Sequence, residues 1–377
     1  MMRYQPLSEF LTEYTLRNDN NQYKPVAVGR YGIRTRDSIY SKELAKDYSK
    51  NKVIYKNTLT VGMGSVQIDI GILTEDIKYS VSPAYHTYEI HDINPTYLRY
   101  CLECRNQDMF TRFVKRGSRQ GKSIDLKRWL TYTIPVFDKQ EQAEIVSVLD
   151  RVSMQISNRH EQLELFEQLV KSRFIELFGT VTENPYGFPM ATLKEVCHKI
   201  TDGKHGGCEQ EADSGYYYVG AREIYDDCIH YDTAPQITYA DFAKDYKRCN
   251  IERGDMVIVN TGATIGKTAI ATSPLTERTL LQKSVALLKV KTEIISAEFL
   301  RHCYMANPSM YKVESASAQP NLLLSRMNAT RIYLPPIDLQ EQFAAFVEQT
   351  DKSKLAVQKS LDELIVLKKS LMQQYFG

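Results

Sequence analysis

One stretch of this chain occurs twice, and that constrains the fold more than any bulk property. Ile134-Pro135-Val136-Phe137-Asp138-Lys139-Gln140-Glu141-Gln142 returns as Leu334-Pro335-Pro336-Ile337-Asp338-Leu339-Gln340-Glu341-Gln342, and each copy opens a long segment free of Gly and Pro. The two segments also close alike, on Lys171-Ser172-Arg173-Phe174-Ile175-Glu176-Leu177-Phe178-Gly179 and on Lys369-Ser370-Leu371-Met372-Gln373-Gln374-Tyr375-Phe376-Gly377. A repeat of this size predicts two related domains, each followed by its own helix. A chain of 377 residues would allow two or three domains at about 150 residues each. The repeat selects two.

From Gln140 to Phe178 the apolar residues Ile145, Leu149, Val152, Ile156, Leu163, Phe166, Val170 and Leu177 fall on steps of three and four, a heptad seam interrupted at Arg159 and Arg173. At about 1.5 Å per residue the helix would extend roughly 58 Å. A second seam, from Leu339 to Phe376, includes Phe343, Val347, Val357, Leu361, Leu364, Leu371 and Tyr375. Two helices with apolar stripes most simply bury them against each other, and an antiparallel pair would set the globular halves at opposite ends of a rod. The ordinary alternatives are helices packed on their own domains or used for dimerisation. Residues 1–137 form the first globular half, 138–179 the central helix, 180–189 a turn-rich linker, 190–336 the second half and 337–377 the closing helix. Expected strands include Lys52–Tyr55 and Gln67–Ile70 in the first half, and Asp255–Val259 and Ser284–Val290 in the second. A helical patch is expected over Thr96–Phe113, after Pro95. Weaker echoes keep their order inside the halves: Leu7-Ser8-Glu9-Phe10 answers Leu193-Lys194-Glu195-Val196, and Tyr97-Leu98-Arg99-Tyr100-Cys101 answers Phe299-Leu300-Arg301-His302-Cys303.

Catalytic constellations are missing. Gly262-Ala263-Thr264-Ile265-Gly266-Lys267-Thr268 has one residue too few between its glycines to wrap a phosphate as a P-loop does, and reads as a tight turn leaving a strand, like Val61-Gly62-Met63-Gly64-Ser65. Neither Asn184-Pro185-Tyr186-Gly187 nor Asn307-Pro308-Ser309-Met310 fits the tetrad of an amino-group methyltransferase, and no HExxH or GxSxG occurs. Seven cysteines, scattered and odd in number, fit a reduced compartment, and Cys101-Leu102-Glu103-Cys104 reads as packing. No apolar run approaches the roughly 20 residues of a membrane span, and Met1-Met2-Arg3-Tyr4-Gln5-Pro6 lacks a signal core, so a cytoplasmic location is expected. The chain reads as a binder.

A net charge of +2 says nothing about a ligand, but its distribution does. Between Thr111 and Lys122 stand Arg112, Lys115, Arg116, Arg119 and Lys122 with Gln120 and no acid. Such a loop can neutralise phosphates and read base edges, although a solvated loop is the plain alternative. The matching second-half segment, Ser315–Asn321, keeps Gln319 and Asn321 without the charge. Further candidates are Arg34 and Arg36 in the arginine-rich run Arg30–Asp37, Lys204 and His205 in Asp202–Gly206, and Asn260, Thr261 and Lys267 around the glycine turn. An ordinary turn explains each of these as well.

Together these residues resemble one family, the specificity subunits of type I restriction-modification systems. The resemblance rests on Ile200-Thr201-Asp202-Gly203-Lys204-His205, on Gly254-Asp255-Met256-Val257 with Gly262–Lys267, on Leu281-Gln282-Lys283, and on Leu334-Pro335-Pro336 before Gln340-Glu341-Gln342. The first half matches more loosely, through its Ile-Pro and Gln-Glu-Gln end and its long helix. The resemblance implies an α+β protein with two tandem target recognition domains joined by two long antiparallel coiled-coil helices. Each domain would read one half of a bipartite, asymmetric double-stranded DNA target, with the helices as a ruler. It also implies two methylation subunits and two restriction subunits as partners. S-adenosylmethionine, ATP and Mg would sit on those partners, and this non-catalytic chain would hold no cofactor. The competing expectations are a related restriction-modification system and a coiled-coil scaffold with no DNA role.

Overall fold

The computed structural model describes residues 2–30, 32–39, 47–117, 121–180, 183–307, 310 and 322–377. It is an α+β chain that divides into two units, Met1–Glu161 with Val357–Gly377, and Gln162–Ala356. In the first unit, β1 (Leu11–Tyr14), β2 (Thr58–Met63), β3 (Ile68–Leu73) and β4 (His86–Ile90) form an antiparallel sheet in the order β1-β4-β2-β3. Helix α1 (Pro95–Cys104) begins where Asn94 accepts the N–H groups of Thr96 and Tyr97, with Pro95 in the first turn, where a missing N–H costs nothing. The expected helical patch is broken at Arg105, and α2 (Asn106–Phe113) follows. Next come the hairpin strands β5 (Val114–Gly117) and β6 (Gly121–Ile124), and then the long helix α3 (Lys139–Phe178).

The second unit repeats this plan. Strands β7 (Cys197–Asp202), β8 (Met256–Val259), β9 (Thr268–Ile270) and β10 (Val285–Val290) pair antiparallel in the order β7-β10-β8-β9. Helix α4 (Tyr239–Cys249) precedes β8, α5 (Ala297–Ala306) follows β10, and α6 (Ile337–Phe376) closes the chain. Both faces of this sheet are buried, which is why β8 is a continuous apolar run and shows no alternation. Met256, Ile258, Ala286 and Leu288 enter a core with Phe178, Phe299 and Phe343, whereas Val257, Val259, Val285 and Leu287 enter another with Ile224 and Ile251.

Each long helix starts in one unit and ends in the other. In the first unit, Ile145 and Leu149 of α3 share a core with Leu371, Met372, Tyr375 and Phe376 of α6. The Phe376 ring meets Tyr97 of α1 at 5.2 Å. In the second unit, the end of α3 meets the start of α6: Phe174 lies 5.4 Å from Phe343, and Phe178 packs edge-on to Phe299 of α5 at 4.8 Å. Rising numbers on α3 therefore face falling numbers on α6 in both units, an antiparallel pairing. Burying each of these rings is worth about 1.5–3 kcal/mol, and each edge-to-face pair adds about 0.5–1.5 kcal/mol. The seam residues Ile156, Leu163 and Phe166 remain only partly buried; most buried positions lie toward the helix ends, with Leu361 buried farther along α6.

A buried glutamine fastens each long helix to its domain. Gln142 accepts the Asn94 N–H at 2.9 Å and donates to the Phe137 carbonyl at 2.8 Å. Gln340 accepts the Ser296 N–H at 2.9 Å and donates to the carbonyls of Pro335, at 2.8 Å, and Ile294. Asn94 and Ser296 are the caps of α1 and α5, so one side chain ties helix start, preceding strand and short helix together. The structure therefore equates Gln142 with Gln340, although the repeated letters pair Gln140 with Gln340. The slip has a physical cause. Asp138 is the cap of α3, accepting the N–H groups of Gln140 and Glu141, whereas Asp338 already lies in the first turn of α6 after Pro335-Pro336. Identical letters here do different work.

Replacing Gln340 with Ala leaves the Ser296 N–H and the Pro335 carbonyl without partners in a buried place. The expected cost is about 2–6 kcal/mol, at about 1–3 kcal/mol per orphaned group. Gln140→Ala, at an exposed position of the same repeated triplet, is expected to change stability by less than about 0.5 kcal/mol. Urea unfolding measures both, and equal effects would overturn the assignment.

Candidate nucleic-acid interface

Strand direction brings most of the second-half candidates to one place. Strands β7 and β8 end at Asp202 and Val259, and β9 and β10 begin at Thr268 and Val285, all at the same end of the sheet. Asn260, Thr261 and Lys267 belong to the β8–β9 turn, whose Gly262 and Gly266 adopt φ of +103° and +90°. The segment is therefore a strand–turn–strand, and no helix follows it as a phosphate loop requires. Asn260 is buried, its N–H bound to the Ser284 carbonyl and its own carbonyl to the Leu322 N–H. Lys267 is exposed. Gln319 and Asn321 lie outside the described residues.

The backbone of Gly203 and Lys204 runs against the turn that opens β10. Lys204 donates its N–H to Leu281 and accepts that of Lys283, and Gly203 donates to Val285. A Cβ on Gly203 would stand 2.1 Å from the Leu281 carbonyl oxygen, so only glycine permits this approach. The Lys204 ammonium does not face outward as the sequence reading expects. It is held at 2.8 Å from Asp245 and 3.6 Å from Asp241 on α4, with its side chain 12% exposed. The hydrogen bond to Asp245 raises its pKa further, so Lys204 is a charged internal anchor for α4. His205 is exposed and bonds Asp202 at 3.0 Å. Burial pushes the Asp202 carboxyl up, but hydrogen bonds from Arg248 and His205 outweigh it and hold the group below the usual carboxylate range.

In the first unit the corresponding sheet end lies at Tyr14, Met63, Ile68 and His86. The basic segment expected as a loop is mostly regular: Arg112 belongs to α2, and Lys115, Arg116 and Lys122 stand on the β5–β6 ribbon, with Arg116 opposite Lys122. Two-stranded ribbons fit the DNA major groove. The Lys122 ammonium bonds the Ser65 carbonyl and lies 5.4 Å from the Phe110 ring, which lays the ribbon against the β2–β3 turn at this end of the sheet. Arg119, Gln120 and the side chain of Arg116 lie outside the described residues.

Not all of this charge points outward. Lys115 pairs with Asp125 at 2.6 Å while staying largely exposed. Arg112 pairs with Asp108 at 2.8 Å and leans over Tyr132, away from the ribbon tip. Arg34 is exposed in the hairpin formed by Val26–Gly29 and Gly32–Thr35, opposite Ala27. Arg36 lies beyond it, its guanidinium 5.4 Å from the Tyr48 ring, and lines a cavity with Gly62, Met63, Ala84 and Tyr85 at the same sheet end.

The Gln282–Ser284 turn, not among the sequence-derived site residues, also lies among the second-half candidates; the signal for it is the Leu281-Gln282-Lys283 motif. The Cys101 thiol is buried in the core, which pushes its pKa up to about 12, and Cys104 gives a weak S–H bond to the Met372 carbonyl. Both pack as small apolar groups. Among the described residues no group of three metal-ligating side chains occurs, and no helix is long and apolar enough to cross a membrane.

The family described as type I restriction modification DNA specificity domain matches this chain twice, over residues 11–167 and 185–366. Two solved structures share the fold. One is the S subunit of a type I restriction-modification system from M. genitalium, with TM-score 0.59, 16% identity, and coverage of 100% of this chain and 96% of that one. The other comes from work on complex assembly and conformational transition of the type I R-M system, with TM-score 0.59, 17% identity, and coverage of 99% and 97%.

Gly203→Ala is expected to force β7 from the turn and lower stability by about 1–3 kcal/mol. Gly207→Ala, where a Cβ meets nothing within 4 Å, should be near neutral. Denaturant midpoints of the two variants test the packing, and a neutral Gly203→Ala would refute it.

Proposed function

The chain belongs to the type I restriction-modification DNA specificity family and recognises a specific DNA sequence in such a system; from that premise we propose that its two units read the two halves of a bipartite, asymmetric target. The observation that carries this reading is a conserved frame with altered ends. The two sheets share strand order and antiparallel pairing. Asn57 and Gly254, both at positive φ, make similar turns before β2 and β8, each donating its N–H to a carbonyl at the end of the hairpin that follows, Leu73 closing β3 or Ala271 just past β9. Counting from there, Met63-Gly64 stands where the second unit has Asn260-Thr261, and Ser82-Pro83-Ala84 stands where it has Gln282-Lys283-Ser284. A common frame with unlike side chains at one end suits two readers of different sequences.

On this reading the first surface uses the β5–β6 ribbon with Lys115, Arg116, Arg119, Gln120 and Lys122, supported by Arg34 and Arg36. The second uses His205, Asn260, Thr261 and Lys267, with Gln319 and Asn321. Lys204 supports the second surface from within, and Arg112, exposed and paired with Asp108, lies beside the first. The chain does no chemistry. Two methylation subunits supply S-adenosylmethionine and modify adenine, and two restriction subunits supply ATP- and Mg-dependent cleavage, in the cytoplasm. The antiparallel helices set the unread gap, since half-sites on one face of the duplex are about 34 Å apart per turn.

Methylome sequencing of a host carrying this chain with its methylation subunits should return one split, asymmetric motif. Arg116→Ala with Arg119→Ala should weaken binding and alter at most the half-site of the first unit. A motif changed in both halves would refute two separate readers, and no split motif at all would refute the reading as a whole.

A further inference from the structure

We propose that Lys283 is a DNA phosphate contact of the second unit, the charge that the exposed surface carries in place of the internal Lys204. The inference rests on the DNA reading above and deepens it. The turn bearing Lys283 is held from three sides. From one side Lys204 accepts the Lys283 N–H, and from another Gln282 donates its N–H to the Val219 carbonyl while Ser284 accepts the Ala221 N–H on its hydroxyl. From the third, the Ser284 carbonyl accepts the Asn260 N–H. A Cβ on Gly220 would stand 2.4 Å from the Gln282 amide oxygen, so this side chain too is packed into place.

Out of this fixed turn the Lys283 side chain is exposed, and it makes no ion pair among the described residues. The contrast with Lys204 is physical. Lys204 faces two carboxylates and brings no positive charge to a ligand, whereas no carboxylate among the described residues pairs with Lys283. An ammonium is a compact point charge with no fixed fork, suited to a phosphate oxygen more than to a base edge. A backbone already ordered before binding lowers the entropy lost on complex formation. The equivalent position of the first unit is Pro83, so this contact belongs to the second surface alone.

The test compares wild type, Lys283→Ala and Lys194→Ala, each assembled with the methylation subunits. The readouts are affinity for the selected DNA as a function of salt, and the selected motif. Lys194 is an exposed lysine just before β7, at the other end of that strand. Lys283→Ala is expected to keep the motif and bind more weakly. Its slope of log affinity against log salt should fall by about 0.9, so that the gap to wild type narrows about threefold between ~50 and ~200 mM salt. Lys194→Ala should leave the slope unchanged. An unchanged slope in Lys283→Ala, an equal fall in Lys194→Ala, or an altered motif would each overturn the assignment. A wild-type complex that selects no motif would instead overturn the DNA reading on which it rests.

Discussion

Phe178 and Phe376 complete the two cores, and everything else in the fold depends on them. Each is the last residue of a long helix and fully buried, and each packs edge-on to an aromatic ring of a short helix, Phe299 or Tyr97. Neither lies in the unit where its helix begins. The first unit takes its final wall from the end of the chain, and the second takes its own from the end of α3. A cavity left by losing either ring would cost about 3–5 kcal/mol, a large part of the stability of an ordinary domain. The first unit is thus discontinuous in sequence, closed by the end of the chain, and the antiparallel pairing follows from where these two rings are buried.

The frame and the candidate surface make different demands on their side chains. At the junctions a buried amide must satisfy several backbone groups at once, and a glutamine recurs there in both copies, at Gln142 and Gln340. At the sheet ends the requirement is weaker, because hydrogen bonds of the backbone do most to fix the turns and several side chains there, such as Lys267 and Lys283, are exposed. Divergence is tolerated there. One unit carries Ser82-Pro83-Ala84 and the other Gln282-Lys283-Ser284 at matched positions just before the equivalent strand of the ladder.

Formal charge proved a coarse guide to surface charge. Lys204 and Arg112 read as cations in polar segments, yet each is paired with carboxylates, Lys204 with Asp241 and Asp245 on the nearby α4 and Arg112 with Asp108 on its own helix. The partners of Lys204 are far away in sequence, so no local pattern could reveal them. The Asp108–Arg112 pair is an i,i+4 spacing and could have been read from the sequence once the residues were placed on a helix. The basic run was legible as basic but not as a ribbon, since its strand pairing depends on a register that charge does not encode.

The sequence by itself determined the duplication, the two long helices with their seams, and the strands with strong β-branched or aliphatic character. These are local or periodic properties, written in neighbouring residues. Only the tertiary structure decided which unit each helix end completes, that Gln142 and not Gln140 is the counterpart of Gln340, and which cations are spent inside the fold. Those outcomes depend on packing and hydrogen-bond partners distant along the chain: an aromatic ring is buried wherever a cavity fits it, and an ammonium turns toward the nearest carboxylates. Neither preference leaves a mark in the order of the letters.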